Sequence, residues 1–273
     1  MSATHLPEWS SAFDDDRLAR VRSLPLPARR EWALAGATGE GVDVAVVDSG
    51  VDADNPRVGG LAGSVALVTD AEDPRGYRVE EGPHTDLVGH GNACSGIIRS
   101  LAPRARLHSV RVLGANLRGR GVLLRGGIEW SVAAGMRVVN LSLSSKSDLM
   151  YADLHRVTDA AYFRGALLVC AANNSPGPTY PSEFASVVSV AARAGDDPLA
   201  LAYNPHPPVE FAARGIDLDV AWADGGSTVA TGNSFAAPHV SGLTALLLSK
   251  HPWLTPFQVK AVLHSLCDNA DVS

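Results

Sequence analysis

Five apolar runs, at residues 42–48, 107–113, 138–143, 166–172 and 187–192, constrain the fold of this 273-residue chain more than any other feature. The first ends in a nearly unbroken apolar stretch, which fits a strand covered on both faces, as in a parallel sheet. Between the runs lie segments of helix length at 122–134, 149–163 and 235–249. This alternation predicts an α/β fold, a doubly wound and mostly parallel sheet with helices on both faces. Residues 59–89, rich in Gly, Asp and Glu, read as a long surface excursion. Residues 1–27, polar and acidic with Pro25 and Pro27 near the end, read as an N-terminal arm, leaving 28–273 as a single domain.

Composition narrows the function classes. The chain is 46% apolar and 19% charged, with a net charge of -6 and no Lys/Arg run to neutralise a phosphate backbone, so nucleic acid is not an expected partner. No apolar stretch approaches membrane-spanning length, and the start, with Asp14-Asp15-Asp16, lacks a basic-then-apolar leader. A cytoplasmic location without membrane contact is the expectation. Cys94, Cys170 and Cys267 are odd in number, far apart and without CxxC spacing, so neither a disulfide framework nor a metal site is expected of them.

Four segments carry chemistry. Asp48 closes an apolar strand and precedes Ser49-Gly50, at the kind of strand end where sites of open parallel sheets gather; taken alone it is a turn aspartate. His90 stands between Gly89 and Gly91 at the start of a helix, unlike His5, His155 or His206. Ser234 opens a buried helix, where its own N–H is unpaired and the helix dipole favours an anion; taken alone it is an N-cap. Asn173 and Asn174 end the run 166–172, and either amide can offer an N–H to an oxyanion or serve as ordinary turn chemistry. An acid, an imidazole, an amide and a hydroxyl all at strand ends or helix starts form a far less probable coincidence than any one alone.

At Val46-Val47-Asp48-Ser49-Gly50-Val51, Gly89-His90-Gly91, Ala171-Ala172-Asn173-Asn174 and Gly232-Asn233-Ser234-Phe235-Ala236-Ala237-Pro238-His239-Val240-Ser241-Gly242, the sequence resembles the subtilase family. The likeness covers roughly residues 28–269, and the order Asp, His, Ser is the subtilisin order. The resemblance implies a serine endopeptidase with Ser234 as nucleophile, His90 as general base and then acid, Asp48 orienting the imidazole, and Asn174 in the oxyanion hole. It also implies a peptide or protein substrate, bound as an added strand between Gly119-Arg120-Gly121 and Leu141-Ser142-Leu143.

Several positions depart from the family pattern. Asn173 and Asn233, beside the reacting centre, stand where the family usually has Gly and Thr, and Asn173 with Thr179 near the pocket base implies a narrower, more polar cut-site pocket. The stretch from Ile98 to Arg111 runs directly through Ser100-Leu101-Ala102-Pro103, without the loop that helps secreted relatives bind a tight calcium. No cofactor is therefore expected, a weaker calcium site elsewhere being left open. The stretch before residue 28 has no room for the pro-domain of secreted relatives. The expectation is a selective processing protease acting on a precursor or leader peptide; the rival is a catalytically weak subtilase serving as a peptide-binding subunit.

Overall fold

The computed structural model describes residues 22–206 and 208–270. Most of the expected arm, residues 1–21, lies outside the described residues, and a short helix, α1 (Arg30–Leu34), precedes the sheet. Strands β1 (Asp43–Asp48), β2 (Gly63–Thr69), β3 (Tyr77–Glu81), β4 (Arg106–Arg111), β5 (Val138–Leu141), β6 (Leu167–Ala171), β7 (Val188–Arg193), β8 (Leu201–Tyr203) and β9 (Phe211–Arg214) form one sheet in the order β3-β2-β4-β1-β5-β6-β7-β9-β8. Every pairing is parallel except those of β3 and β8, which close the two edges antiparallel. A separate antiparallel pair joins β10 (Leu218–Ala221) to β11 (Ser227–Ala230).

The apolar runs are explained by two covered faces. In β1, Val44 and Val46 join the core beneath α2 (His90–Leu101) and α5 (Asn233–Lys250), through Cys94, Ile98, Ala237 and Val240. Ala45 and Val47 point the other way, into a core shared with α3 (Gly121–Ala133) and α4 (Tyr151–Phe163), through Leu124, Ile128, Leu154 and Ala161. Each fully buried Leu or Ile contributes about 1.5–3 kcal/mol of transfer free energy, and both cores draw on many. The doubly wound α/β architecture is as the sequence implied.

Outward from β1 the chain runs through β4 and β2 on one side and through β5, β6, β7 and β9 on the other. The winding reverses at β1, so the crevice beyond its carboxyl end is where such a sheet binds ligands. Strand parity then aims the acid: Asp48, in phase with Val44 and Val46, faces the α2 and α5 side.

Residues 59–89 differ from expectation. They supply β2 and β3, and Val65, Leu67 and Tyr77 are buried in the core shared with α3. The acidic and Gly-rich composition of the flanks masked two short strands. A further helix, α6 (Pro256–Ser265), was not read from the sequence although its start carries a capping box: the Thr255 hydroxyl accepts from the Gln258 N–H, the Gln258 side chain accepts from the Thr255 N–H, and Pro256 follows the cap.

Candidate active site

Three element ends meet above β1. Asp48 is fully buried, and its carboxylate accepts hydrogen bonds from the Ser49 N–H at 2.7 Å, the Ser49 hydroxyl at 3.1 Å and the His90 Nδ1–H at 2.8 and 3.0 Å. His90 reaches it because α2 starts close against the exit of β1: a Cβ on Gly91 would lie 1.8 Å from the Gly50 carbonyl oxygen, so only glycine fits there. Behind them the Asp86 carboxylate accepts from the Ser49 hydroxyl at 2.8 Å and from the N–H groups of Val88 and Asn92, tying β1, the β3–α2 loop and α2 into one frame.

Burial disfavours an imidazolium at His90, but the Asp48 carboxylate beside it outweighs that cost and holds the His90 pKa well above its ordinary 6.5. Cys94, one turn along α2, sits 3.7 Å from Asp48 Oδ2 and 4.0 Å from His90 Nδ1, and burial raises its thiol pKa. These three are the group among the described residues close enough to share a metal ion, and they are already joined to one another. His239 belongs to the helix interior: its Nδ1 donates to the Phe235 carbonyl and burial lowers its pKa to about 4.

Ser234 lies in the first turn of α5 and lines a cleft of about 350 Å³ with His90, Leu143, Asn173 and Asn174. Ser234 and His90 share that cleft without a hydrogen bond between them, as is common before substrate tightens such a site. Pro238, one turn further along, has no N–H to give the Ser234 carbonyl. That freed acceptor takes the Ser142 hydroxyl at 2.7 Å instead. Ser142 accepts in turn from Asn140 Nδ2, whose Oδ1 accepts from the Ser241 hydroxyl, so a buried chain of three side chains pins the start of α5 to β5. The polar Asn140 and Ser142 inside the run 138–143 were the available sign of this; the sequence resemblance marks Ser142 as part of a binding edge, and its bond to α5 was missed.

Asn174 is anchored by its Oδ1, which accepts from the Asn233 N–H at 2.9 Å and leaves its Nδ2 donors beside the start of α5. The Ser234 N–H, in the first helical turn, lacks an intrahelical acceptor. Together they form two donors for a negatively charged oxygen at the cleft.

The two family departures have different surroundings. Asn233 does not line the cleft: its amide donates to the carbonyls of Ala172 and Asn173 and accepts from the Ala192 N–H, clamping the start of α5 to β6 and β7. Asn173 does line it, accepting from the Ser144 hydroxyl at 2.6 Å and donating to the Pro178 carbonyl. Thr179 is buried beneath, accepting from the Asn173 N–H and sharing a hydrogen bond with Ser182. Of the expected binding edges, Ser142 and Leu143 line the cleft, and Gly119, Arg120, Gly121 and Leu143 line an adjoining cavity; the Ser142 hydroxyl is bonded to the Ser234 carbonyl and Leu141 is a core side chain of β5.

Residues 39–270 match the sequence profile described as the Subtilase family. The chain belongs to the subtilase family. It is 32% identical over 245 residues to subtilisin E of Bacillus subtilis (strain 168), covering 84% of this chain and 61% of that protein. The minor extracellular protease Epr of the same organism is 32% identical over 241 residues, covering 86% of this chain and 36% of Epr. This subtilase thus spans less than two thirds of those two relatives, although it spans 85% of subtilisin of Bacillus pumilus, at 31% identity. A cold-adapted subtilisin-like serine proteinase of known structure superposes with a TM-score of 0.71 at 26% identity, covering 86% of this chain and 87% of that one. The link from α2 to β4, where secreted subtilases were expected to carry a calcium-binding loop, is Ala102-Pro103-Arg104-Ala105, which has no oxygen-bearing side chain and does not fit a hard cation.

Proposed function

We propose that this subtilase is a serine endopeptidase. Ser234 attacks the scissile carbonyl, His90 Nε2 takes its proton and passes it to the leaving amine, and Asp48 stabilises the imidazolium and fixes its tautomer. The developing oxyanion meets Asn174 Nδ2 and the Ser234 N–H. Water then hydrolyses the acyl-enzyme by the same route in reverse. The observation that carries this reading is the buried Asp48–His90 pair opening onto the cleft that holds Ser234 and Asn174. A fluorophosphonate probe is expected to label the protein, and peptide mass mapping to place the adduct on Ser234. A folded protein left unlabelled would favour the rival, a peptide-binding subunit without turnover.

The finer proposal is a selective processor of a precursor or leader peptide. It is supported by the Ser144–Asn173 hydrogen bond, which joins the loops leaving β5 and β6 across the cleft. A second tie runs between the same loops, from Lys146 Nζ to the Ser175 hydroxyl at 2.6 Å. A side chain entering between them must be small or must break the bridge, at a cost of about 0.5–1.5 kcal/mol for a neutral hydrogen bond plus the crowding that remains. Asn173→Gly, which removes the Ser144 bridge and the side chain that crowds the pocket while leaving the Lys146–Ser175 tie, is expected to raise kcat/KM for peptides with a large apolar residue at the cut about 10- to 100-fold relative to alanine there. An unchanged ratio in a competitive peptide panel would remove the basis for selectivity at this position.

Cytoplasmic residence is proposed on Cys94, Cys170 and Cys267, all buried free thiols of the sort a reducing compartment maintains. The name of Epr places that relative outside the cell. No described helix is long and apolar enough to cross a membrane.

A further inference from the structure

Beside the catalytic cleft lies a second cavity of about 570 Å³, which shares Leu117, Leu143 and Ser144 with it. Its floor is apolar, built from Val112, Leu113 and Leu124 of the second core, and its rim carries Arg118, Arg120 and Lys146. None of these three cations forms an ion pair among the described residues, in a chain whose net charge is -6. Arg125, further along α3, is the contrast: its guanidinium lies 3.3 Å from Asp153 and 3.6 Å from Glu129. Asp148, the acid closest to Lys146 in sequence, accepts from the Tyr180 hydroxyl instead.

The rim is held in place by backbone packing. A Cβ on Gly119 would lie 2.8 Å from the Val112 carbonyl oxygen and 2.9 Å from Leu113 Cδ2, so the loop is pressed onto the exit of β4 at the residue between the two arginines. Arg120, with extended backbone at φ -80 and ψ 143, caps α3. Both guanidinium groups therefore spring from fixed points on the wall of the cavity.

We propose that the rim of this cavity reads the substrate: it holds an acidic side chain against Arg118 and Arg120, so that an Asp or Glu near the cut selects the peptide. Charge complementarity names the occupant, because a carboxylate meets three positive groups and no acid among the lining residues. The cavity shares Leu117, Leu143 and Ser144 with the catalytic cleft, which puts the acid close to the scissile bond along an extended peptide. The cut-site pocket bridged by Ser144 and Asn173 selects by size, and this cavity adds selection by charge. The inference rests on the endopeptidase reading and deepens it.

Paired peptides differing only by Glu against Gln, or Asp against Asn, at each position around a fixed cut test it. The acid member is expected to be favoured in kcat/KM about 10-fold at one position, with the ratio falling towards one in Arg118→Gln/Arg120→Gln and shrinking as salt rises. Binding of the same peptides to Ser234→Ala, followed by fluorescence polarisation, reads the cavity without turnover. No acid preference in either measurement, or a preference that survives in the double variant, overturns the proposal. Acid-dependent binding without cleavage by the wild type supports the cavity's role and overturns the endopeptidase reading alone.

Discussion

Alanine at position 234 is expected to lower kcat on a peptide substrate by about 10⁶-fold while moving the melting temperature by no more than about 2 °C. The two readouts separate because the residue is used in two different ways. Its carbonyl is structural: Pro238 leaves it free, and the chain from Ser241 through Asn140 to Ser142 holds it. Its hydroxyl has no hydrogen-bond partner among the described residues, so deleting it removes the proposed nucleophile and almost no packing. His90→Ala should cost nearly as much as Ser234→Ala, and the double variant little more than either, since neither group works without the other. Turnover assays beside calorimetry check this; a Ser234→Ala protein keeping more than about one hundredth of wild-type kcat would show that another group attacks.

The same division between backbone and side chain explains what could be read from the sequence. The runs at 42–48, 138–143 and 166–172 correspond to β1, β5 and β6 within a residue or two, because strands covered on both faces are apolar at nearly every position. Asp48, His90, Asn174 and Ser234 stood out because strand ends and helix starts have recognisable local sequences. The supporting partners did not. Asp86 reaches Ser49 across 37 positions and Ser241 reaches Asn140 across 101, and no local pattern encodes such a contact. Asn233 was placed beside the reacting centre on sequence position alone; the geometry turns its amide away, towards Ala172, Asn173 and Ala192, which makes it a clamp on the site. The bridge from Ser144 to Asn173 depends on two loops whose spacing is set by the β5–β6 pairing, so the polar narrowing was legible as a residue change but its hydrogen bond was not.

Asp48→Asn is expected to lower kcat by about 10⁴-fold and to move the acid limb of the pH profile in a stated direction. The carboxylate receives donors on every side: the Ser49 N–H and hydroxyl, the His90 Nδ1–H and the Cys94 thiol. An asparagine that keeps its oxygen towards the Ser49 N–H puts its NH₂ at the Oδ2 position, 3.0 Å from His90 Nδ1, where it can donate to that nitrogen and favour the tautomer that carries its proton on Nε2. That nitrogen then cannot accept from Ser234. In the wild type the Asp48 charge holds the His90 pKa above 6.5, so kcat/KM should rise with pH through an inflection above that value as the base becomes neutral. With the charge gone and the burial retained, the inflection should fall below 6.5. Stability follows the same sign. The His90 pKa is raised on folding, so the wild-type pair stabilises the fold fully below 6.5 and loses that contribution as pH rises through the folded value, an acid-side increment the variant should lack. Residual activity profiles and melting temperatures from pH 5 to 9 check both; an acid limb left in place by Asp48→Asn would mean that the rate-limiting titration belongs to a group other than His90.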